Sequence, residues 1–142
     1  MADIWVLVAD SSAAHIYAGR HLRAPLSLVT SLTHEASRQR GTELMSDAPG
    51  RVHDRFGPGR HSLDPKEQIR NEEAQRFARE LAQQLATGLQ NRQYDRLVVM
   101  AAPAFLGILR GLLSKPVVDA VVAEVPKNLV SHDVADVEAH IP

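Results

Sequence analysis

One helix is written plainly into this sequence, and what stands on either side of it restricts the fold. Asp64 is a capping residue, Pro65 suits the first helical position, and Glu67 completes a capping-box spacing, so a helix is expected to begin there. Ile69, Ala74, Phe77, Ala78, Leu81, Leu85 and Leu89 recur mostly at three- and four-residue steps, making one apolar face that runs to about Asn91. Charged Arg70, Glu73, Arg76, Arg79 and Glu80 are expected mostly on the opposite face. Before this helix, residues 4–9 form a short, β-branched, nearly continuous apolar run, the pattern of a strand buried on both faces. Residues 94–101 repeat that pattern after it. Helix and buried strands together predict an α/β single domain spanning 1–142, with a mixed β-sheet and flanking helices.

The remaining elements follow from local signals. Asp10-Ser11-Ser12 is a turn signal, and residues 13–17 and 26–32 read as two further strands, so the first quarter resembles an antiparallel meander with turns near Ser11 and over 21–25. Residues 37–45 read as a short helix weakened by Gly41. Pro103 opens an amphipathic helix through Phe105, Leu106, Leu109, Leu112 and Leu113. Residues 117–125 fit a helix by the spacing of their valines and a strand by their β-branching. Residues 134–141 read as a closing helix capped by Asp133.

A hydrophobic content of 44% over 142 residues suffices for one packed core without covalent staples. With no cysteine there is no disulfide, thiolate zinc site or thiol nucleophile. The first ten residues lack the features of a secretory signal and no apolar run approaches a membrane span, so a cytoplasmic location without membrane insertion is expected. A formal net charge of −1 argues against a generally basic nucleic-acid binder but leaves room for a local basic patch.

That patch is the stretch 46–67. Pro49, Gly50, Gly57, Pro58 and Gly59 break any continuous helix or strand there, while Arg51, His53, Arg55, Arg60 and His61 crowd a segment with no apolar stripe. Arg51, Arg55, Arg60 and Lys66 can pair with phosphate oxygens, and the amides of Gly57 and Gly59 add donors. The plainer alternative is a solvated loop whose cations pair with Asp47, Asp54 and Asp64. Phe56 is the loop's only stacking platform, which makes base-specific single-strand recognition the weaker form of the nucleic-acid reading.

Catalytic readings fare worse. Asp10 at a strand end could begin a carboxylate metal site, but the other buried strand ends in Met100-Ala101-Ala102-Pro103, without an acidic partner, so a turn-capping role is expected instead. His53, His61, Asp54 and Asp64 lack the one-turn helical spacing of a preformed metal site. His15, His21, His34, His132 and His140 are scattered, as structural or surface residues are. Ser11 and Ser12 lack a nucleophile elbow, and Gly57-Pro58-Gly59-Arg60-His61 lacks the ending of a phosphate-binding P-loop. No cofactor, metal or catalytic residue is assigned.

Taken together, residues 5–10, the 46–67 loop, Arg76-Phe77-Ala78-Arg79-Glu80-Leu81 and residues 94–107 resemble the bacterial host-attachment protein family over essentially the whole chain. That family is distantly similar to the middle domain of eukaryotic and archaeal peptide-chain release factors and their ribosome-rescue relatives. The resemblance implies a ribonuclease H-like fold of the translational-machinery type. In the release factors the loop before the long helix carries Gly-Gly-Gln, whose glutamine promotes peptidyl-tRNA hydrolysis. Here the corresponding region reads Gly57-Pro58-Gly59-Arg60-His61-Ser62, without glutamine, and Pro58 removes a backbone donor. The expectation is therefore a non-catalytic domain whose Arg51, His53, Arg55, Gly57, Gly59, Arg60, His61 and Lys66 contact ribosomal RNA or tRNA. The competing classes are a protein-interaction factor that supports attachment indirectly and, more remotely, a metal-dependent hydrolase using Asp10 with loop histidines.

Overall fold

The computed structural model describes residues 3–34 and 65–142, and every structural statement below concerns those residues. Strand β1 (Ile4–Ala9) is the centre of a five-stranded sheet. It pairs antiparallel with β2 (Ala13–Gly19), which pairs antiparallel with β3 (Ser27–Thr33), so the expected meander forms, with β2 two residues longer than expected and β3 shifted by one residue. Helix α1 (Pro65–Gln90) carries the chain across the sheet to β4 (Arg96–Ala101), parallel to β1 on its other side. Helices α2 (Pro103–Arg110) and α3 (Lys115–Ala120) lead to β5 (Val121–Val125), parallel to β4, and α4 (Val134–Ala139) follows. The strand order is β3-β2-β1-β4-β5.

All six residues of β1 are buried, as its unbroken apolar run requires for a strand with covered faces. Trp5, Leu7 and Ala9 point to one face with Leu97, Val99 and Ala101, and the apolar stripes of α1, α2 and α3 cover them. Ile4, Val6 and Val8 point to the other face with Val98 and Met100, where Leu26, Leu129, Val137 and Ile141 cover them. The valine-rich stretch whose spacing and branching disagreed is both things in turn. α3 buries Val117 and ends at Ala120, and β-branching then takes over in β5. The helix opened by Pro103 stops at Arg110 rather than running through Leu113, with Gly111 at its carboxyl cap. Asp133 caps α4 as its sequence position suggests, its side chain accepting a 3.0 Å bond from the Asp136 amide.

Helix α1 is held close to the sheet by small residues and a defined stop. A Cβ at Gly88 would lie 2.5 Å from Trp5 Cη2, so only glycine lets the helix sit on the indole. The helix ends in a Schellman arrangement: the Gln93 amide donates to Gly88 O at 2.8 Å and the Arg92 amide to Leu89 O at 3.0 Å. Arg92 accordingly takes a left-handed φ of 61°. Tyr94 then turns inward before β4, stacks on Trp5 at 4.6 Å, and donates its hydroxyl to Leu85 O at 2.6 Å. Burial raises its phenol pKa well above the ordinary tyrosine value.

One sequence expectation fails on α1. Glu73 does not lie on the solvent face; it is 2% exposed. Its position, four residues after Ile69 and four before Phe77, puts it on the stripe that faces the sheet, and hydrogen bonds from Arg76 and His34 make that burial tolerable. No described helix is long and apolar enough to cross a membrane.

Candidate functional site

The carboxyl ends of β1 and β4 lie side by side, Ala9 opposite Ala101, at the point where the chain leaves the sheet in opposite directions. In open α/β sheets such an edge leaves a crevice, because the connections diverge there. Here the crevice is a cleft of about 410 Å³ between the β1–β2 turn and the first turns of α1 and α2. Its wall is apolar, built by Ala74, Ala102, Phe105 and Ile108. Its rim is polar, with Ser11 and Ser12 on the turn, Asn71 on α1, and Asn128 from the stretch after β5.

The β1–β2 turn owes its shape to Asp10. One carboxylate oxygen accepts from the Ser12 and Ala13 amides, both at 2.9 Å, and from the Ser12 hydroxyl at 3.2 Å. The other accepts from Asn128 Nδ2 at 3.1 Å, and Asn128 Oδ1 in turn accepts from the Val130 amide at 3.0 Å. Both oxygens are thus engaged in building the rim, the turn-capping role expected from sequence. Among the described residues, no group of three or more histidines and acids is arranged to hold a metal ion.

A second polar cluster ties β3 to α1. The His34 backbone amide donates to Ser12 O at 2.8 Å, and its ring Nε2 donates to Glu73 Oε1 at 2.9 Å. Arg76 Nη1 donates to the other Glu73 oxygen at 2.9 Å. The imidazole also stacks on Phe77, with centroids 5.3 Å apart and planes 20° from parallel. The buried carboxylate therefore joins the last residue described before 35–64 to the helix that begins just after it.

Of the residues singled out in the sequence, Lys66 lies in the first turn of α1, partly exposed, and it too is engaged in an interaction. Arg51, His53, Arg55, Gly57, Gly59, Arg60 and His61 lie outside the described residues. So do Asp54, Phe56 and Asp64, and the short helix read over 37–45. Sequence reasoning missed the cleft because its groups come from four distant segments. Asn71 and Asn128 carry no local signal. Glu73 carried one, the i±4 relation to Ile69 and Phe77.

A β3-β2-β1-β4-β5 sheet under helices on one face, with a polar-rimmed cleft at the carboxyl edge of its parallel strands, defines an α/β domain of release-factor-like fold. A similar fold occurs in the archaeal translation termination factor aRF1, which matches with a TM-score of 0.52 and 12% identity over 90% of this chain. Residues 5–141 match the family described as "Protein required for attachment to host cells", and the chain belongs to that family. It spans only 31% of the archaeal factor, so the likeness is to one part of that protein and is one of fold alone. The type II variant of the Aquifex aeolicus Ppx/GppA phosphatase is more loosely similar, with a TM-score of 0.37 and 14% identity over 88% of this chain and 35% of that one. No curated protein sequence matches.

Proposed function

We propose that this protein is a non-catalytic RNA-contacting domain that works in translation or ribosome rescue, with ribosomal RNA or tRNA as its partner. The observation that carries this reading is where the basic segment is attached. His34 before it bonds to the β1–β2 turn, and α1 after it lines the cleft with its first turns, so both flanks of 35–64 belong to one edge of the sheet. Arg51, His53, Arg55, Arg60, His61 and Lys66, with the amides of Gly57 and Gly59, supply the phosphate contacts. The fold is read as ribonuclease H-like of the translational-machinery type, in keeping with the likeness to the archaeal termination factor. Without the glutamine of Gly-Gly-Gln the domain binds rather than hydrolyses.

A second reading, a protein-interaction factor that supports attachment indirectly, draws on the family description and on the outer strand β3, which exposes Leu28 and Val29 and carries no charged residue. Salt separates the two. Cosedimentation with bacterial ribosomes at low and moderate salt, beside an Arg51/Arg55/Arg60→Ala variant, should show binding that weakens steeply with salt and is lost in the variant. Absence of cosedimentation in both proteins would sink the RNA reading and favour a protein partner. The hydrolase reading gains nothing from Asp10, whose oxygens are occupied in the turn and by Asn128.

A further inference from the structure

The cleft differs chemically from the basic segment. Among the described residues, two acids, Asp10 and Glu67, and one cation, Arg70, reach its lining, so these offer no net attraction to a polyanion. Its wall of Ala74, Ala102, Phe105 and Ile108 favours a flat apolar face instead. On the rim, Asp10 and Asn128 hold each other fixed, while the Asn71 amide and Ser11 hydroxyl make no hydrogen bond among the described residues. An apolar wall facing a few placed amide and hydroxyl groups suits a small ring with a hydrogen-bonding edge, and the volume of about 410 Å³ falls in the usual range for such ligands.

We propose that this cleft is a subsite for one nucleobase of single-stranded RNA. The base lies against the Ala102–Phe105 wall, Asn71 and Ser11 meet its edge, and the sugar and phosphates stay at the mouth beside the start of α1. An asparagine amide presents a donor and an acceptor together, which is what a base edge needs. The inference rests on the RNA reading above and deepens it by naming the seat of a single base.

The test uses the full chain, titrated with adenosine, guanosine, cytidine and uridine and, separately, with ribose 5-phosphate and inorganic phosphate, followed by amide and methyl NMR signals. Nucleosides should shift the signals of Asn71, Asn128, Ala102 and Ala104, with an affinity that barely changes between low and moderate salt. Ala104 is exposed at the cleft, so Ala104→Trp fills it without entering the core and should weaken nucleoside binding at least tenfold. Asn71→Ala should alter the preference among the four bases. Arg51/Arg55/Arg60→Ala should leave nucleoside binding intact. Equal shifts from ribose 5-phosphate, no shifts from any nucleoside, or full binding by a folded Ala104→Trp variant would each overturn the proposal. Ribosome binding lost in the arginine variant while nucleosides fail to bind would overturn the base subsite and leave the RNA reading standing. Nucleoside binding without ribosome binding would do the reverse.

Discussion

One face of the sheet lies under α1, α2 and α3, while the other is covered by the turn after β2 and by the chain from 126 onward, in which α4 is only six residues long. The first cover is built from helical stripes, so its contacts repeat every three or four residues and reinforce one another. The second places single residues, Leu26, Leu129, Val137 and Ile141, and needs polar bonds to hold them there. Glu138 accepts from the Leu26 amide at 2.9 Å. His15 bonds through Nε2 to Val130 O at 3.2 Å, so that nitrogen carries the proton and Nδ1 can accept from Ser31 Oγ at 2.8 Å. The lesson is a division of labour: the helical face sets stability, and its near end, at the carboxyl edge, carries the cleft and both flanks of the basic segment.

Large apolar truncations test that division most severely. Phe77→Ala, beneath α1, should cost about 3–5 kcal/mol in urea unfolding, whereas Leu129→Ala on the other face should fall near the low end of the leucine range, about 2 kcal/mol, because an irregular cover can relax into the space. Equal losses would make the two faces equivalent and break the comparison.

Glu73 sharpens it further, since it is the buried charge that ties β3 to α1. Glu73→Ala leaves His34 and Arg76 without their shared acceptor and should cost about 2–3 kcal/mol, while Glu73→Gln should lose less by keeping one acceptor and the side-chain volume. Thermal unfolding followed by emission of the single tryptophan, Trp5, would measure both. A loss of a few tenths would mean that the clasp is incidental to α1 docking.

Two tyrosines give the smallest and most selective comparison. Burial raises the Tyr94 phenol on the helical face, and burial, then the Asp133 charge, raises Tyr17 on the other. For each, the unfolded phenol loses its proton near pH 10 while the folded one still holds it, so the stabilisation is complete below that pH and fades as pH climbs toward the folded value. Tyr94→Phe should cost about 1 kcal/mol at neutral pH through the bond to Leu85 O and should flatten the decline above pH 10 more than Tyr17→Phe does. Parallel alkaline curves for the two variants would contradict the ranking.

How much of this was readable from sequence varies with the physics. Pro65, Glu67 and the stripe through Phe77 and Leu81 announced α1 because capping and periodicity are local, and β1 announced itself by being apolar throughout. Glu73 was misplaced because its charge was weighed above its spacing from Ile69 and Phe77. The cover over the second face could not be read, since isolated residues such as Leu129 and Ile141 have no period to betray them. The cleft could not be read either: the turn at Asp10, the helix at Asn71, the strand end at Ala102 and the distant Asn128 meet only through the parallel pairing of β1 with β4. The basic segment was legible by composition alone, and its residues 46–64 stay a matter of chemistry rather than described geometry.

On the proposed reading, RNA meets the protein along the carboxyl edge of β1 and β4. Ultraviolet cross-linking of the protein to bacterial ribosomes, with the modified peptides located by mass spectrometry, tests it directly. Nucleotide adducts are expected within 46–67 and on the cleft rim near Ser11, Asn71 or Asn128. Adducts confined to the surface over Leu129, Val137 and Ile141, or none from a protein that cosediments, would contradict it.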